Sequence, residues 1–242
     1  MESFAMTDIG SRREVNQDYV YCNDNAVGLL PNLYIVADGM GGHKAGDFAS
    51  RFSVNEFEKE LKEQKARTII GSMEGAIRLV NDRLLKEAAA EPDYEGMGTT
   101  FVAACISEGS LYILNIGDSR LYRLSESGTI RQITQDHSLV EEKILRGEIE
   151  RKDAKNHPEK NVITRALGAA EQVIPDFFEL ELEAGDYILL CSDGLTNMVE
   201  DEKIKETVLN NDSELKEKVE RLIALANENG GRDNISLVLI HI

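Results

Sequence analysis

The sequence predicts an α+β fold with helices outside antiparallel sheets, and three observations predict it. Residues 45–61 and 69–90 place apolar side chains at helical spacing between charged ones. Four runs rich in β-formers come in pairs, joined by the turn-forming stretches Ser107-Glu108-Gly109-Ser110 and Ser125-Glu126-Ser127-Gly128. Runs of strands stand beside runs of helices, the chain order of an α+β protein.

Taken in order, Leu33 to Ala37 reads as a buried strand ending on Asp38, and Gly39, Gly41 and Gly42 then open backbone conformations closed to other residues. That places a functional loop after a strand. The helical segments 45–61 and 69–90 are long enough to cover a sheet. Thr99 to Ile106 pairs with Leu111 to Ile116, and Leu121 to Leu124 with Thr129 to Ile133; consecutive hairpins predict an antiparallel meander. The charged segment Glu141 to Lys160 begins helically and ends in Lys155-Asn156-His157-Pro158, poor helix material, so it reads as a surface insertion near the site. Tyr187 to Cys191 and Ile235 to His241 add two strands, and Ser213 to Glu228 is a helix stopped by Gly230 and Gly231. With no internal repeat, low-complexity tract or linker, residues 1–242 read as one domain.

At 242 residues and 42% hydrophobic content the chain can bury one sizeable core. Acidic residues number 44 against 27 Lys and Arg, a formal charge of -17, which disfavours nucleic acid and anionic lipid as partners. A phosphorylated substrate would need a local positive site, a metal or a positioned arginine, against this field. Cys22, Cys105 and Cys191 are odd in number, widely spaced and without a CxxC, so neither a disulfide framework nor a thiolate metal site is expected, and a reducing cytoplasm fits. The N-terminus carries no basic stretch followed by an apolar core, and no apolar run approaches the roughly 20 residues of a membrane span. The expectation is a monomeric cytoplasmic protein.

Four aspartates occupy one kind of place. Asp38 and Asp193 end apolar strands with glycine next, Asp118 follows Ile116-Gly117, and Asp233 precedes a strand. Strand ends project side chains reproducibly, and an all-oxygen donor set suits the hard cations Mg²⁺ and Mn²⁺, which take few protein carboxylates and keep several waters. A single Asp-Gly pair is equally a turn. Converging carboxylates would raise one another's pKa, and a cation is the natural compensation.

Seven ordered motifs carry a resemblance that supplies the convergence. Arg13-Glu14-Val15-Asn16-Gln17-Asp18, Val36-Ala37-Asp38-Gly39-Met40-Gly41-Gly42 and Gly96-Met97-Gly98-Thr99-Thr100 come first. Asn115-Ile116-Gly117-Asp118-Ser119-Arg120, Gln135-Asp136-His137-Ser138, Leu190-Cys191-Ser192-Asp193-Gly194-Leu195 and Gly231-Arg232-Asp233-Asn234-Ile235 follow. In order and spacing the chain resembles, over essentially its whole length, the metal-dependent protein phosphatases of type 2C, the PPM family, in their compact bacterial form. The resemblance implies a four-layer α-β-β-α sandwich, two antiparallel sheets flanked by helices, with the metals at one end between the sheets. It implies a protein Ser/Thr phosphatase that hydrolyses phosphoserine and phosphothreonine with water activated by two Mn²⁺ or Mg²⁺ ions. Asp38 would bridge the metals, Asp193 and Asp233 complete the first, and the Gly39 carbonyl serve the second. Asp18 would orient the metal-held water, and Arg13 would grip phosphate with its planar fork. Asp118 would join Asp193 around a third, weaker ion. Residues 141–160 correspond to the family's flap, and the implied partners are phosphorylated proteins, substrates of a cognate Ser/Thr kinase.

The proton donor to the leaving group has two candidates. The animal members carry His directly after the Asp-Gly pair, where this chain has Met40; His43, three residues on, and a metal-held water are both eligible. His137 is expected to cap or pack the helix after it, and Asn234 either to stand beside the metals or to satisfy loop backbone. Competing functions are a phosphatase of small metabolites, a catalytically dead regulator on the same fold, and an acidic calcium-binding protein. The complete set Asp18, Asp38, Asp193 and Asp233 argues against the second, and the lack of an EF-hand loop against the third.

Overall fold

The computed structural model describes residues 1–42, 44–63, 65–154, 157–210 and 212–242. Strands β1 (Glu2–Asp8), β2 (Asp18–Asn23) and β3 (Leu33–Met40) precede helices α1 (Ala45–Glu63) and α2 (Ile69–Ala90). A short β4 (Gly98–Thr99) leads into the hairpins β5 (Phe101–Ser107) with β6 (Ser110–Ile116), and β7 (Arg120–Leu124) with β8 (Ile130–Gln132). Helices α3 (Leu139–Leu145) and α4 (Arg151–Ala154) come before β9 (Asp176–Glu181) and β10 (Tyr187–Cys191). Helices α5 (Asp193–Thr196), α6 (Asp201–Val208) and α7 (Leu215–Glu228) then lead to β11 (Ile235–His241).

Local chemistry sets the helix starts. Thr68 caps α2 by accepting the Gly71 N–H at 3.1 Å. Glu214 and Glu217 form a reciprocal capping box at the start of α7. Among the described residues no helix is long and apolar enough to cross a membrane.

The strands form two antiparallel sheets, ordered β1-β11-β10-β7-β8 and β2-β3-β5-β6-β9, with β4 added to β3. Alternation along β3 shows how they stack. Leu33, Ile35 and Ala37 pack with Phe57, Leu61, Ile77 and Leu84 of α1 and α2. Tyr34 and Val36 face the other way, against Ile188, Leu190, Val238 and Ile240 of the second sheet. The outer face of that sheet, with Leu189, Leu237 and Leu239, is covered by Ile204, Val219 and Leu222 of α6 and α7. The layers are therefore α-β-β-α, as the family resemblance implies. Inner strands buried on both faces read as continuous apolar runs, each large side chain contributing about 1.5–3 kcal/mol.

Two sequence expectations change. The hairpins do not make one meander: β5-β6 lies in one sheet and β7-β8 in the other. The switch is the turn at Gly117, with φ of 103° and space so tight that a Cβ would stand 2.7 Å from the Thr100 side chain. Three strands, β1, β2 and β9, had no clear signal in the sequence. Each is a sheet edge, with largely half-exposed or exposed residues that break the apolar pattern.

Candidate active site

Antiparallel pairing brings the acidic residues to one end of the sandwich. Asp18 at the start of β2 pairs with Asp38 near the end of β3. Asp193 follows the end of β10, and Asp233 precedes the start of β11, its antiparallel neighbour. Asp118 lies in the turn where the chain leaves one sheet for the other. Each of Asp18, Asp38, Asp118 and Asp193 has its titration raised first by burial and then by other members of this group.

Each carboxylate is held by identifiable neighbours. Ser192 Oγ donates to Asp18 Oδ2 at 2.8 Å and accepts the Ser236 N–H at 3.0 Å, tying β2 to the opposite sheet. Burial, opposed by hydrogen bonds from Ser236 and Ser192 and reinforced by Asp193 and Asp233, pushes Asp18 up to about 7. The Asp38 N–H donates to Thr100 Oγ1 at 2.9 Å, and Thr100 in turn shares a 2.7 Å hydrogen bond with Ser119. Asp38 is pushed well above the usual carboxylate range by burial and by Asp18, Asp193, Asp118 and Asp233. Asp193 rises to about 6, through burial and Asp233, while Asn197 Nδ2 donates to its Oδ2 at 2.8 Å. Asp118, 7% exposed, is raised by burial, Asp193 and Asp136 against the opposing field of Arg120. Gly39 has no room for a side chain: a Cβ would meet the Gly46 carbonyl at 2.0 Å.

Asp18 Oδ1, Asp118 Oδ1 and Asp193 Oδ1 are buried without a hydrogen-bond partner. Buried acceptors left unpaired are costly, and these stand in a field of like charge. A hard divalent cation is the chemical complement of such oxygens. Among the described residues, no group of three or more His, Cys, Asp and Glu forms a ready-made ligand cluster. Hydrated Mg²⁺-type sites require no such cage, since water fills most of the coordination shell.

Arg13 sits at the mouth of this end. Asn234 anchors its loop: Oδ1 accepts the Gln17 N–H at 2.9 Å, and Nδ2 donates to the carbonyls of Ile9 and Val15 at 2.9 and 3.0 Å. Asn234 thus satisfies loop backbone. Arg13 Nη2 donates to Asp233 Oδ2 at 2.7 Å, joining the expected phosphate clamp to an expected metal ligand. His43 lies outside the described residues.

Sequence reasoning passed over several supporting groups. His137 does not cap α3; Ser138 does, accepting the Glu141 N–H at 3.3 Å. His137 holds the Asp118 turn instead. Its Nδ1 accepts the Gly117 N–H at 3.0 Å, its backbone N–H donates to the Gly117 carbonyl at 2.9 Å, and Nε2 pairs with Asp176 at 3.0 Å. Ser192 had its position beside Asp193 as a signal. Asn197 had helical i, i+4 spacing from Asp193.

Two antiparallel sheets between helical layers, closing at one end on buried carboxylates with an arginine at the mouth, define the class of sandwich-fold phosphatases. Residues 10–239 match the family model described as Protein phosphatase 2C. The chain belongs to that family, the PPM-type bacterial Ser/Thr phosphatases. It is 42% identical over 240 residues to the Serine/threonine phosphatase stp of Listeria welshimeri, covering 97% of this chain and 93% of the relative. Among solved structures it resembles the Serine/threonine phosphatase Stp1 of Staphylococcus aureus, with a TM-score of 0.92, 36% identity, and coverage of 100% of this chain and 94% of the other. The catalytic domain of the phosphatase PstP, solved in complex with 2 manganese ions, matches with a TM-score of 0.85 at 35% identity, covering 98% and 96% of the two chains.

Proposed function

We propose that this chain hydrolyses phosphoserine and phosphothreonine in proteins with the help of two Mn²⁺ or Mg²⁺ ions. The carrying observation is the set of buried, unpartnered oxygens on Asp18, Asp118 and Asp193, around Asp38. Asp38 would be shared between the two ions, with Asp193 and Asp233 on the first, the Gly39 carbonyl on the second, and Asp118 with Asp193 on a third, weaker ion. When bound, a pair of such cations supplies water made nucleophilic near neutral pH and neutralises charge on the phosphoryl oxygens. The manganese pair in PstP, a protein of the same family, supports this reading.

The chain's own residues do the positioning. Asp18, held on Oδ2 by Ser192, keeps Oδ1 free to accept a proton from the attacking water and to aim it. Arg13 grips the phosphate. Its pair with Asp233 has side chains 48% and 34% exposed, so it is worth about 0–1 kcal/mol and would not keep Asp233 from holding a cation. Phosphoryl transfer asks mainly for positioning and charge stabilisation, so no phosphoenzyme is required. Cys105 and Cys191, buried with thiols pushed up to about 12, are unsuited to nucleophilic work.

Residues 1–242 would form one catalytic domain, with 141–160 as the flap that meets protein substrates of a cognate kinase. A cavity of about 440 Å³ opens between that segment and residues 196–202, lined by Arg151, Lys160, Asn197 and Glu200 among others. Three free cysteines suit a reducing cytoplasm.

Hydrolysis of a phosphothreonine peptide, compared with free phosphorylated metabolites, tests the proposal. Turnover of the peptide is expected with Mn²⁺ or Mg²⁺ and none with chelator. Preference for metabolites would move the substrate class, and no turnover with either cation would defeat the enzyme reading.

A further inference from the structure

Asp193 Oδ2 is already committed inside the protein. Asn197, one helical turn later, has its backbone N–H on the Asp193 carbonyl at 2.8 Å and its side-chain Nδ2 on Asp193 Oδ2 at 2.8 Å. The other face of that amide is also engaged: Lys160 Nζ donates to Asn197 Oδ1 at 3.2 Å. Lys160 ends the charged segment 141–160, and both residues line the cavity beneath it. Asp193 Oδ1 is left buried and unpartnered.

This chain of contacts has a direction. A lysine ammonium can only donate, so it holds the amide oxygen toward itself and the NH₂ toward the carboxylate. The NH₂ holds Oδ2, and the carboxylate plane then has one orientation, with Oδ1 aimed away from Asn197. Neighbours that hold a metal ligand in this way contribute to affinity although they never touch the ion.

We propose that Asn197 and Lys160 are positioning residues that preset Asp193 for a divalent cation and tie the segment above the cavity to the acidic end. The proposal rests on the reading of Asp193 as a metal ligand. It deepens that reading by predicting that a lysine outside the carboxylate group sets metal affinity. Simple charge repulsion predicts the opposite for Lys160, since removing a nearby positive charge would favour a cation. The sign of its effect therefore separates positioning from electrostatics.

The test is calorimetric titration of Mn²⁺ into the metal-free full chain, alongside Asn197→Ala and Lys160→Met. Asn197→Ala is expected to weaken the tight Mn²⁺ site about tenfold and Lys160→Met about threefold. Melting of metal-free Lys160→Met should stay close to that of the unaltered protein, metal-free Asn197→Ala should melt lower because Asp193 Oδ2 loses its donor, and the paramagnetic resonance line shape of bound Mn²⁺ should change in both. Unchanged or tighter Mn²⁺ binding by both variants overturns the relay while leaving the phosphatase reading intact. Normal Mn²⁺ binding with the expected losses, but no hydrolysis of any phosphate ester, supports the relay and defeats the phosphatase reading. Should Asn197→Ala fail to fold, Lys160→Met carries the test alone. An unaltered protein that binds no Mn²⁺ overturns both.

Discussion

Two neighbouring regions of this molecule hold buried carboxylates, and they treat them differently. At the start of β7, Arg120 donates to Asp136 through Nε at 2.9 and 3.1 Å and through Nη2 at 2.7 Å. Gln132 adds a fourth hydrogen bond at 2.8 Å, and Arg120 Nη1 reaches Tyr122 at 3.0 Å. Every lone pair that matters is used. At the acidic end, Asp18, Asp118 and Asp193 each keep an oxygen with no partner, and the arginine present there, Arg13, takes only Asp233. The fold can deliver a guanidinium to a carboxylate within this same sheet. Leaving those three oxygens of Asp18, Asp118 and Asp193 without a donor costs stability, and a bound cation is what such an arrangement suits.

The comparison breaks first at Asp38. Asp38→Asn is expected to lower peptide-phosphatase turnover on the order of 10³-fold, the scale for removing a centrally placed electrostatic group. The same change should raise the melting temperature of the metal-free protein near neutral pH, because it removes a carboxyl that burial and four acidic neighbours force to take up a proton on folding. A metal-free protein that becomes less stable would contradict the picture of unrelieved repulsion.

Next in size is the paired region. Arg120→Met leaves Asp136, whose side chain is 13% exposed, with a neutral partner only, and should cost about 3 kcal/mol in urea unfolding. Loss below 1 kcal/mol would show that the two regions differ less than their hydrogen bonds suggest. Arg13→Lys keeps the charge but loses the fork, so kcat/KM for a phosphopeptide should fall about 30-fold, about 2 kcal/mol, with little change in unfolding. Unchanged kinetics would remove Arg13 from the phosphate site.

The smallest effect is in pH. Asp18 is ordinarily ionised above pH 4 but holds its proton in the metal-free fold up to about 7. The folded state binds a proton that the unfolded chain has released, so this contribution to stability is full below the ordinary carboxylate pKa and is lost as pH rises toward 7. The slope is at most about 1.4 kcal/mol per pH unit for one group. Denaturation of metal-free protein at pH 5 and pH 8 should show the decline, and Asp18→Asn or added Mn²⁺ should flatten it. A slope unaltered in Asp18→Asn would place the proton elsewhere.

Much of this was legible in the order of residues. Helix 69–90 and strands 187–191 and 235–241 follow from periodicity and lie where it put them, because both faces or one whole stripe are buried and the pattern is undiluted. Edge strands β1, β2 and β9 were not legible, because half-exposed residues need not be apolar. The hairpin pattern could not show that β6 and β7 belong to different sheets either, because both are largely buried strands that read alike in whichever sheet they lie; Gly117 marks the switch.

The acidic residues divide in the same way. Local sequence established that Asp38, Asp118, Asp193 and Asp233 sit at strand ends or turns, a matter of neighbours within a few positions. Only antiparallel register and the stacking of two sheets decided that Asp18 lies across from Asp38 and that residues 175 positions apart share one field. Tertiary structure also chose which oxygens are satisfied, giving Asp18 a serine from β10's end and Asp193 an asparagine held by Lys160. Such pairings depend on through-space approach at 2.8 to 3.2 Å, to which linear spacing is blind.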